Sequence, residues 1–267
     1  MSINKKNTFE QHDNEEGSFY KSSVNPFKGS GYLNNYLEVD VCIIGGGLTG
    51  VSSALNLAKK GFSVALCEAR TIGWGASGRN GGQLGIGMRK EQSLIEKKLG
   101  FECAKELWLL GLEAVSETTK LISDYKIQCA LQKGVISAGY YKKNTEDFLF
   151  EIDHMQKYYN FSGYKYLDKD EINNEINTNL YHSGLLNNHS YHLNPLKLLI
   201  GLAGELLKLN VKIYENTPIT KILNDQNGAK VYSFKKTIKA EKVVVCCNGY
   251  LDCLLGNIRN KFMPINN

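Results

Sequence analysis

The sequence predicts an α/β fold, and three observations between residues 39 and 67 carry that reading. Residues 39–44 (Val-Asp-Val-Cys-Ile-Ile) form a short, nearly all-apolar run stopping at Gly45-Gly46-Gly47, the pattern of a parallel strand buried on both faces. Residues 48–60 then place Val51, Ala54, Leu55 and Ala58 at helical spacing and stop at Gly61. Residues 62–67 form a second apolar run closed by the charged Glu68. Strand, glycine turn, helix and strand in about thirty residues make a βαβ unit.

The other elements follow in order. Residues 1–37 are polar, without lasting periodicity, and read as an N-terminal arm; its Phe19, Tyr20, Phe27, Tyr32 and Tyr36 imply that part of it packs on the body. A glycine-rich loop at 73–87 precedes helical patterns at 91–99 and 101–125. Strands are expected at 128–131 and 135–141, and a helix at 146–159. Asn194-Pro195 starts another helix, because Asn caps and Pro is preset for the first turn. That helix buries Leu198, Leu199, Leu202, Leu206 and Leu209. Strands at 211–214 and 218–223 lead to Asn227-Gly228, a hairpin turn signal, and then to strands at 230–234, 237–240 and 242–247.

Composition narrows the function classes. A chain of 267 residues suggests one large domain or two interleaved ones, at roughly 150 residues per domain. With 42 % apolar and 22 % charged residues it is ordinary globular material. No apolar run approaches the ~18 residues of a membrane span, and the hydrophilic N-terminus has no signal-peptide core. The net charge of +5 comes from scattered pairs such as Lys97-Lys98 and Lys142-Lys143, not the single basic stripe that a nucleic-acid binder needs. Seven cysteines show no C-x-x-C pair, which fits reduced thiols in the cytoplasm. His182, His189 and His192 have no acidic or Cys partner at metal-type spacing, so no metal site is expected, and they read as loop polarity before the Pro195 helix.

The chemistry sits in the glycine turn. Gly45-Gly46-Gly47-Leu48-Thr49-Gly50 fits G-x-G-x-x-G in its proper strand-to-helix setting. Gly45 makes the tight turn, Gly47 admits a pyrophosphate to the backbone, and Gly50 allows close helix–strand packing. The helix N-terminus offers free N–H groups and partial positive charge to phosphates. Glu68, 18 residues beyond Gly50, is placed to accept hydrogen bonds from ribose hydroxyls. The segment from Gly73 to Gln83 (Gly-Trp-Gly-Ala-Ser-Gly-Arg-Asn-Gly-Gly-Gln) has too much glycine for a regular element, so its backbone lies close to something or turns sharply. A flavin ring and pyrophosphate would supply that reason, with Arg79 as a fixed cation.

Together, residues 40–50 and 75–83 resemble the FAD-dependent amine and amino-acid oxidases, and within them the gamma-glutamylputrescine oxidases. Ser18-Phe19-Tyr20 with Asn25, residues 125–129, His192-Leu193-Asn194-Pro195 and Cys246-Cys247-Asn248-Gly249-Tyr250 extend the likeness over about residues 18–264. The resemblance implies a Rossmann-like FAD-binding βαβ fold with an interleaved α+β substrate-domain sheet. It implies nucleotide-binding parts at about 38–90 and 190–255 and a substrate part at about 127–189, inside an oxidoreductase domain at 38–267. Gly45, Gly47, Leu48, Thr49, Gly50, Glu68 and Ala69 would hold the ADP part. Ala76, Ser77, Arg79, Asn80, Gly81 and Gln83 would border the flavin and ribityl chain. Ile219 and Asn248 would lie beside the adenosine. The implied reaction moves a hydride from the carbon beside a substrate amine to the flavin, the imine hydrolyses, and oxygen becomes hydrogen peroxide. No catalytic base is assigned.

The family pattern also closes with a second motif, Gly-x-Ser/Gly-Gly-His-Gly, opening a helix that faces the flavin, and nothing in these residues matches it. The expectation is therefore a C-terminally truncated or split member, its substrate-domain sheet incomplete and, if split, the missing part supplied by a separate chain. The expected partners are a small-molecule amine substrate, no nucleic acid and no membrane span. A non-catalytic FAD-binding remnant is the first alternative, and a flavin-linked RNA-modifying enzyme the second; the scattered Lys pairs argue against the latter.

Overall fold

The computed structural model describes residues 18–34, 36–234, 236–251, 254–255 and 261. The chain divides into two units, one formed by the residues up to Asn80 together with those from Pro195 onward, the other by Gly81–Asn194. Residues 262–267 lie outside the described residues, as do Cys253 and residues 1–17 of the arm.

The first unit begins with helix α1 (Phe19–Ser22), capped by Ser18, followed by β1 (Tyr36–Ile44), α2 (Leu48–Lys59) and β2 (Val64–Cys67). Here β1 starts three residues earlier than the apolar run. The second unit contains β3 (Gln83–Leu84), α3 (Gln92–Leu99), α4 (Phe101–Asp124), β4 (Gln132–Gly139), α5 (Lys143–Tyr159), β5 (Tyr164–Leu167), α6 (Lys169–Ile176) and β6 (Ser183–His192). The chain returns to the first unit with α7 (Pro195–Lys208), β7 (Lys212–Tyr214), β8 (Lys221–Asp225), β9 (Gly228–Ser233) and β10 (Lys236–Val245).

Six strands of the first unit form one sheet in the order β7-β2-β1-β10-β9-β8. Its centre is parallel: Ile44 of β1 pairs with Cys67 of β2 on one side and Val245 of β10 on the other. The edge toward β8 is an antiparallel hairpin closed at Asp225↔Gly228, where the Asn-Gly signal placed it. On one face α2 packs against α7, burying Gly50, Val51, Ala54 and Leu55 with Leu199, Leu202 and Leu206. On the other, Val39, Cys42, Ala65, Val231 and Ile238 form a second core layer. Each large side chain so buried contributes about 1.5–3 kcal/mol relative to exposure. The arm is part of this layer: Leu33 is 2 % exposed, and Ser30 N–H donates to the carbonyl of Ile213 at 2.7 Å.

In the second unit β6 is central, paired antiparallel with β4 on one side and with β5 and β3 on the other. Trp108 of α4, Met155 of α5 and Phe161 form its aromatic core.

Several expectations change here. Residues 128–131 are not a strand, because Lys126 and Ala130 have φ of 52° and 53°, which no ladder accommodates. His189 and His192 lie not in a loop but on β6, where half-exposed polar residues obscured the alternation of a strand. The α6 helix carries a capping box, Asp168 with Glu171, that the sequence displays but that a 3.6-residue apolar count alone passes over. Expected strands at 237–240 and 242–247 are one, β10. The 73–87 loop contains a 3-10 turn, Ala76–Gly78, and β3.

Candidate functional site

The carboxyl ends of β1, β2 and β10 open onto a cleft of about 480 Å³ within the first unit, in the size range of ligand pockets (~300–1,000 Å³). Open α/β sheets bind ligands at that end, where the chain leaves neighbouring strands in opposite directions.

Its floor is glycine by necessity. Gly45 turns out of β1 at φ +111°, and a Cβ there would stand 2.5 Å from the carbonyl oxygen of Cys246. A Cβ on Gly50 would stand 1.9 Å from the carbonyl oxygen of Gly45, so only glycine lets α2 lie this close to β1. Gly47 caps α2, and the missing side chain makes room for Ser77, whose Oγ accepts the Leu48 N–H at 3.0 Å. The helix N-terminus thus faces the cleft with its positive end.

At the end of β2 stands Glu68. Its Oε2 accepts the Gly46 N–H at 2.6 Å and its Oε1 accepts the Arg70 N–H at 2.8 Å. Burial pushes the carboxyl above the usual carboxylate range, these two N–H groups pull it back, and nearby Glu215 adds repulsion. Counting the Ala69 N–H, which also favours the charged form, the carboxylate still has lone-pair capacity for a further donor. The facing wall is Thr217-Pro218-Ile219, tied to Glu68 because Thr217 N–H donates to the Glu68 carbonyl at 2.8 Å. Trp74 forms another wall, edge-on to Tyr250 with ring centroids 5.5 Å apart.

Of the residues named from the sequence, Gly45, Gly47, Glu68, Ala69, Ala76, Ser77, Ile219 and Asn248 line this cleft. Leu48 and Thr49 form the first turn of α2, and Gly50 is buried under it. Arg79 and Asn80 brace the loop from outside: Arg79 Nε donates to the Trp74 carbonyl at 2.8 Å and stacks over the Trp74 ring, and Asn80 Nδ2 donates to the Ala76 and Ser77 carbonyls. Gly81 and Gln83 belong to the second unit, where Gln83 pairs with His192 in β3. The site list drawn from sequence omitted Arg70, Trp74, Thr217, Phe234, Cys246 and Tyr250, all of which line the cleft. Trp74, Cys246 and Tyr250 lie inside motifs already quoted and were available; Phe234 is a lone exposed aromatic and gave no signal.

Among the described residues no helix is long and apolar enough to cross a membrane, and no group of three or more His, Cys, Asp or Glu could hold a metal ion.

A parallel sheet with a glycine turn, a helix N-terminus and an acid at the end of the next strand defines a dinucleotide-binding protein. The family comparison makes this specific: residues 40–266 match the family described as FAD dependent oxidoreductase, and the chain belongs to it. It is 34 % identical over 248 residues to a gamma-glutamylputrescine oxidoreductase of Escherichia coli, covering 92 % of this chain and 58 % of that protein. It is 30 % identical over 252 residues to a probable oxidoreductase OrdL of Haemophilus influenzae, covering 93 % and 58 %. Among solved structures, glycine oxidase from Geobacillus kaustophilus superposes with a TM-score of 0.67 at 23 % identity, covering 85 % of this chain and 59 % of that one. An L-amino acid deaminase from Proteus myxofaciens gives 0.68 at 20 %, covering 88 % and 50 %. At such identities the likeness shows the fold. The chain spans little more than half the length of the relatives it matches.

The cleft fits the family's cofactor. An ADP group needs an acceptor for ribose hydroxyls, N–H groups for phosphates and an apolar slot for adenine; Glu68, the α2 N-terminus beyond Gly47 and the Ala69/Ile219 walls have the chemistry to supply them.

Proposed function

We propose that this cleft holds the ADP part of FAD, and that the enzyme oxidises the CH–NH bond of an amine or amino acid of the gamma-glutamylputrescine type. Glu68 carries the reading: it is a carboxylate fixed by two backbone N–H groups at the end of β2, beside the N-terminus of α2. Glu68 accepts the ribose hydroxyls, the first turn of α2 (Leu48, Thr49) faces the pyrophosphate, and Ile219 with Asn248 flanks the adenosine. Ala76 and Ser77 carry the cleft toward the flavin, and Arg79 and Asn80 brace the loop beside it.

Bound FAD would accept the hydride leaving the amine-bearing carbon and pass the two electrons to oxygen, giving hydrogen peroxide, while water would hydrolyse the imine to a carbonyl compound and ammonia or an amine. The protein's share is binding and orientation. The amine class is supported by the 34 % identical gamma-glutamylputrescine oxidoreductase, and a cytoplasmic setting by cysteines without disulfide spacing.

Reconstitution with FAD tests both halves. Purified protein should retain a flavin absorbance that gamma-glutamylputrescine, glycine or sarcosine bleaches without air, with peroxide formed in air. Retained flavin that no amine bleaches would reduce the protein to a cofactor carrier. Failure to retain any flavin would remove the cofactor assignment itself.

A further inference from the structure

The N-terminal arm reaches the cofactor cleft through one carboxylate that lies outside its lining. Ser30 N–H donates to the Ile213 carbonyl at 2.7 Å, and Ile213 N–H donates to Ser30 Oγ at 2.9 Å, so residues 29–30 lie along the outer edge of β7. Gly29 is held so close that a Cβ there would stand 2.6 Å from the Ile213 carbonyl oxygen. Two residues past Ile213, Glu215 is partly buried. Its carboxylate accepts, at 2.7 Å through Oε1, the Ile72 N–H on the loop that carries Gly73 and Trp74 into the cleft, and the Gly29 N–H of the arm favours its charged form. The adjacent residue repeats the connection: Asn216, at φ 50°, donates its N–H to the Arg70 carbonyl at 2.7 Å.

We infer that Glu215 is a positioning residue: it clasps the arm at Gly29 to the cleft wall at Ile72, and so holds residues 70–75 in the shape that receives the nucleotide. Ile72 and Gly29, 43 residues apart in sequence, both offer an N–H that favours the same anionic side chain, and a charge-assisted bond such as that from Ile72 is about twice as strong as a neutral one. The arm therefore acts on the cleft without touching the nucleotide. The effect on affinity rests on the FAD reading above; the clasp itself does not.

Amide hydrogen exchange on the cofactor-free full chain, together with ADP titration, separates the two. In Glu215→Ala, and separately in Gly29→Val, whose side chain forces the arm off β7, exchange at Ile72, Gly73 and Trp74 should rise at least tenfold. Amides of β1 and β2 should keep their protection. ADP affinity should fall about five- to twentyfold in each single variant, and no further in the double, because both remove the same clasp. Glu215→Gln keeps the size and one acceptor and should fall between the wild type and Glu215→Ala. Unchanged exchange at 72–74 in Glu215→Ala, loss of β1 and β2 protection along with it, or full additivity in the double variant would each overturn the clasp. If the wild type binds no ADP while exchange responds as stated, the clasp stands and the cofactor assignment falls.

Discussion

In the first unit β2 is buried at all four of its positions and β1 at its last four, whereas β4 of the second unit is buried only at Gly139. The parallel strands are covered on both faces, by α2 and α7 on one and by the Val39–Ile238 layer on the other. The second unit gathers its apolar mass between helices, around Trp108, Met155 and Phe161, and ties it with a polar network. There Tyr159 donates to Glu96 at 2.7 Å and Gln92 donates to Tyr159 at 3.0 Å. Burial, aided by the Glu96 carboxylate, pushes the Tyr159 phenol up to about 12, so it stays a donor. Strands covered on both faces present their carboxyl ends to a ligand cleft; half-covered strands leave side chains facing solvent.

Four changes sharpen or break this contrast. Met155→Ala, which empties a fully buried position of the second unit, should cost about 2–5 kcal/mol in a denaturant melt, and a change below about 1 kcal/mol would deny that unit a packed core. Gly50→Val should cost about 1–3 kcal/mol by overpacking against the Gly45 carbonyl and weaken ADP binding far more than its stability loss implies. Equal ADP affinity in that variant would show that the cleft does not depend on the glycine turn. Glu68→Gln sets an amide N–H₂ against a backbone N–H and should weaken ADP about tenfold, or about 1.4 kcal/mol, by titration.

The smallest effect is on pH. Burial raises the Glu68 pKa, so the folded apo protein holds its proton more tightly than the unfolded chain, and this group's contribution to stability falls as pH rises from the ordinary carboxylate range through the raised value. Ribose hydroxyls favour the ionised form, so ADP binding should release a proton and tighten across the same window. Affinity flat from pH 4 to 7 would separate Glu68 from the nucleotide.

The contrast also explains what the sequence revealed. Where strands are covered on both sides, as at 39–44 and 62–67, apolar runs are continuous and the βαβ unit reads directly. In β6, Asn187, Asn188 and His189 interrupt any alternation, and the strand is set by its partners β4 and β5 rather than by its own composition. The glycine positions of the cleft were legible because geometry admits no other residue at Gly45 and Gly50. For Arg79 the loop composition and the resemblance pointed to the flavin; in the structure its guanidinium stacks on Trp74 and its Nε holds the loop, a bracing role that the sequence does not reveal. Glu215 gave no signal, since its two partners, Gly29 and Ile72, are brought to it only by the fold.

The central claim is that the described cleft reads the ADP half of FAD. Titrating the purified chain with ADP, FAD and FMN tests it most directly. ADP and FAD should bind and compete with each other, and FMN, which lacks the adenosine proposed to lie against Glu68 and Ile219, should bind at least tenfold more weakly. Binding of FMN as tight as FAD, with ADP unable to compete, would contradict the account.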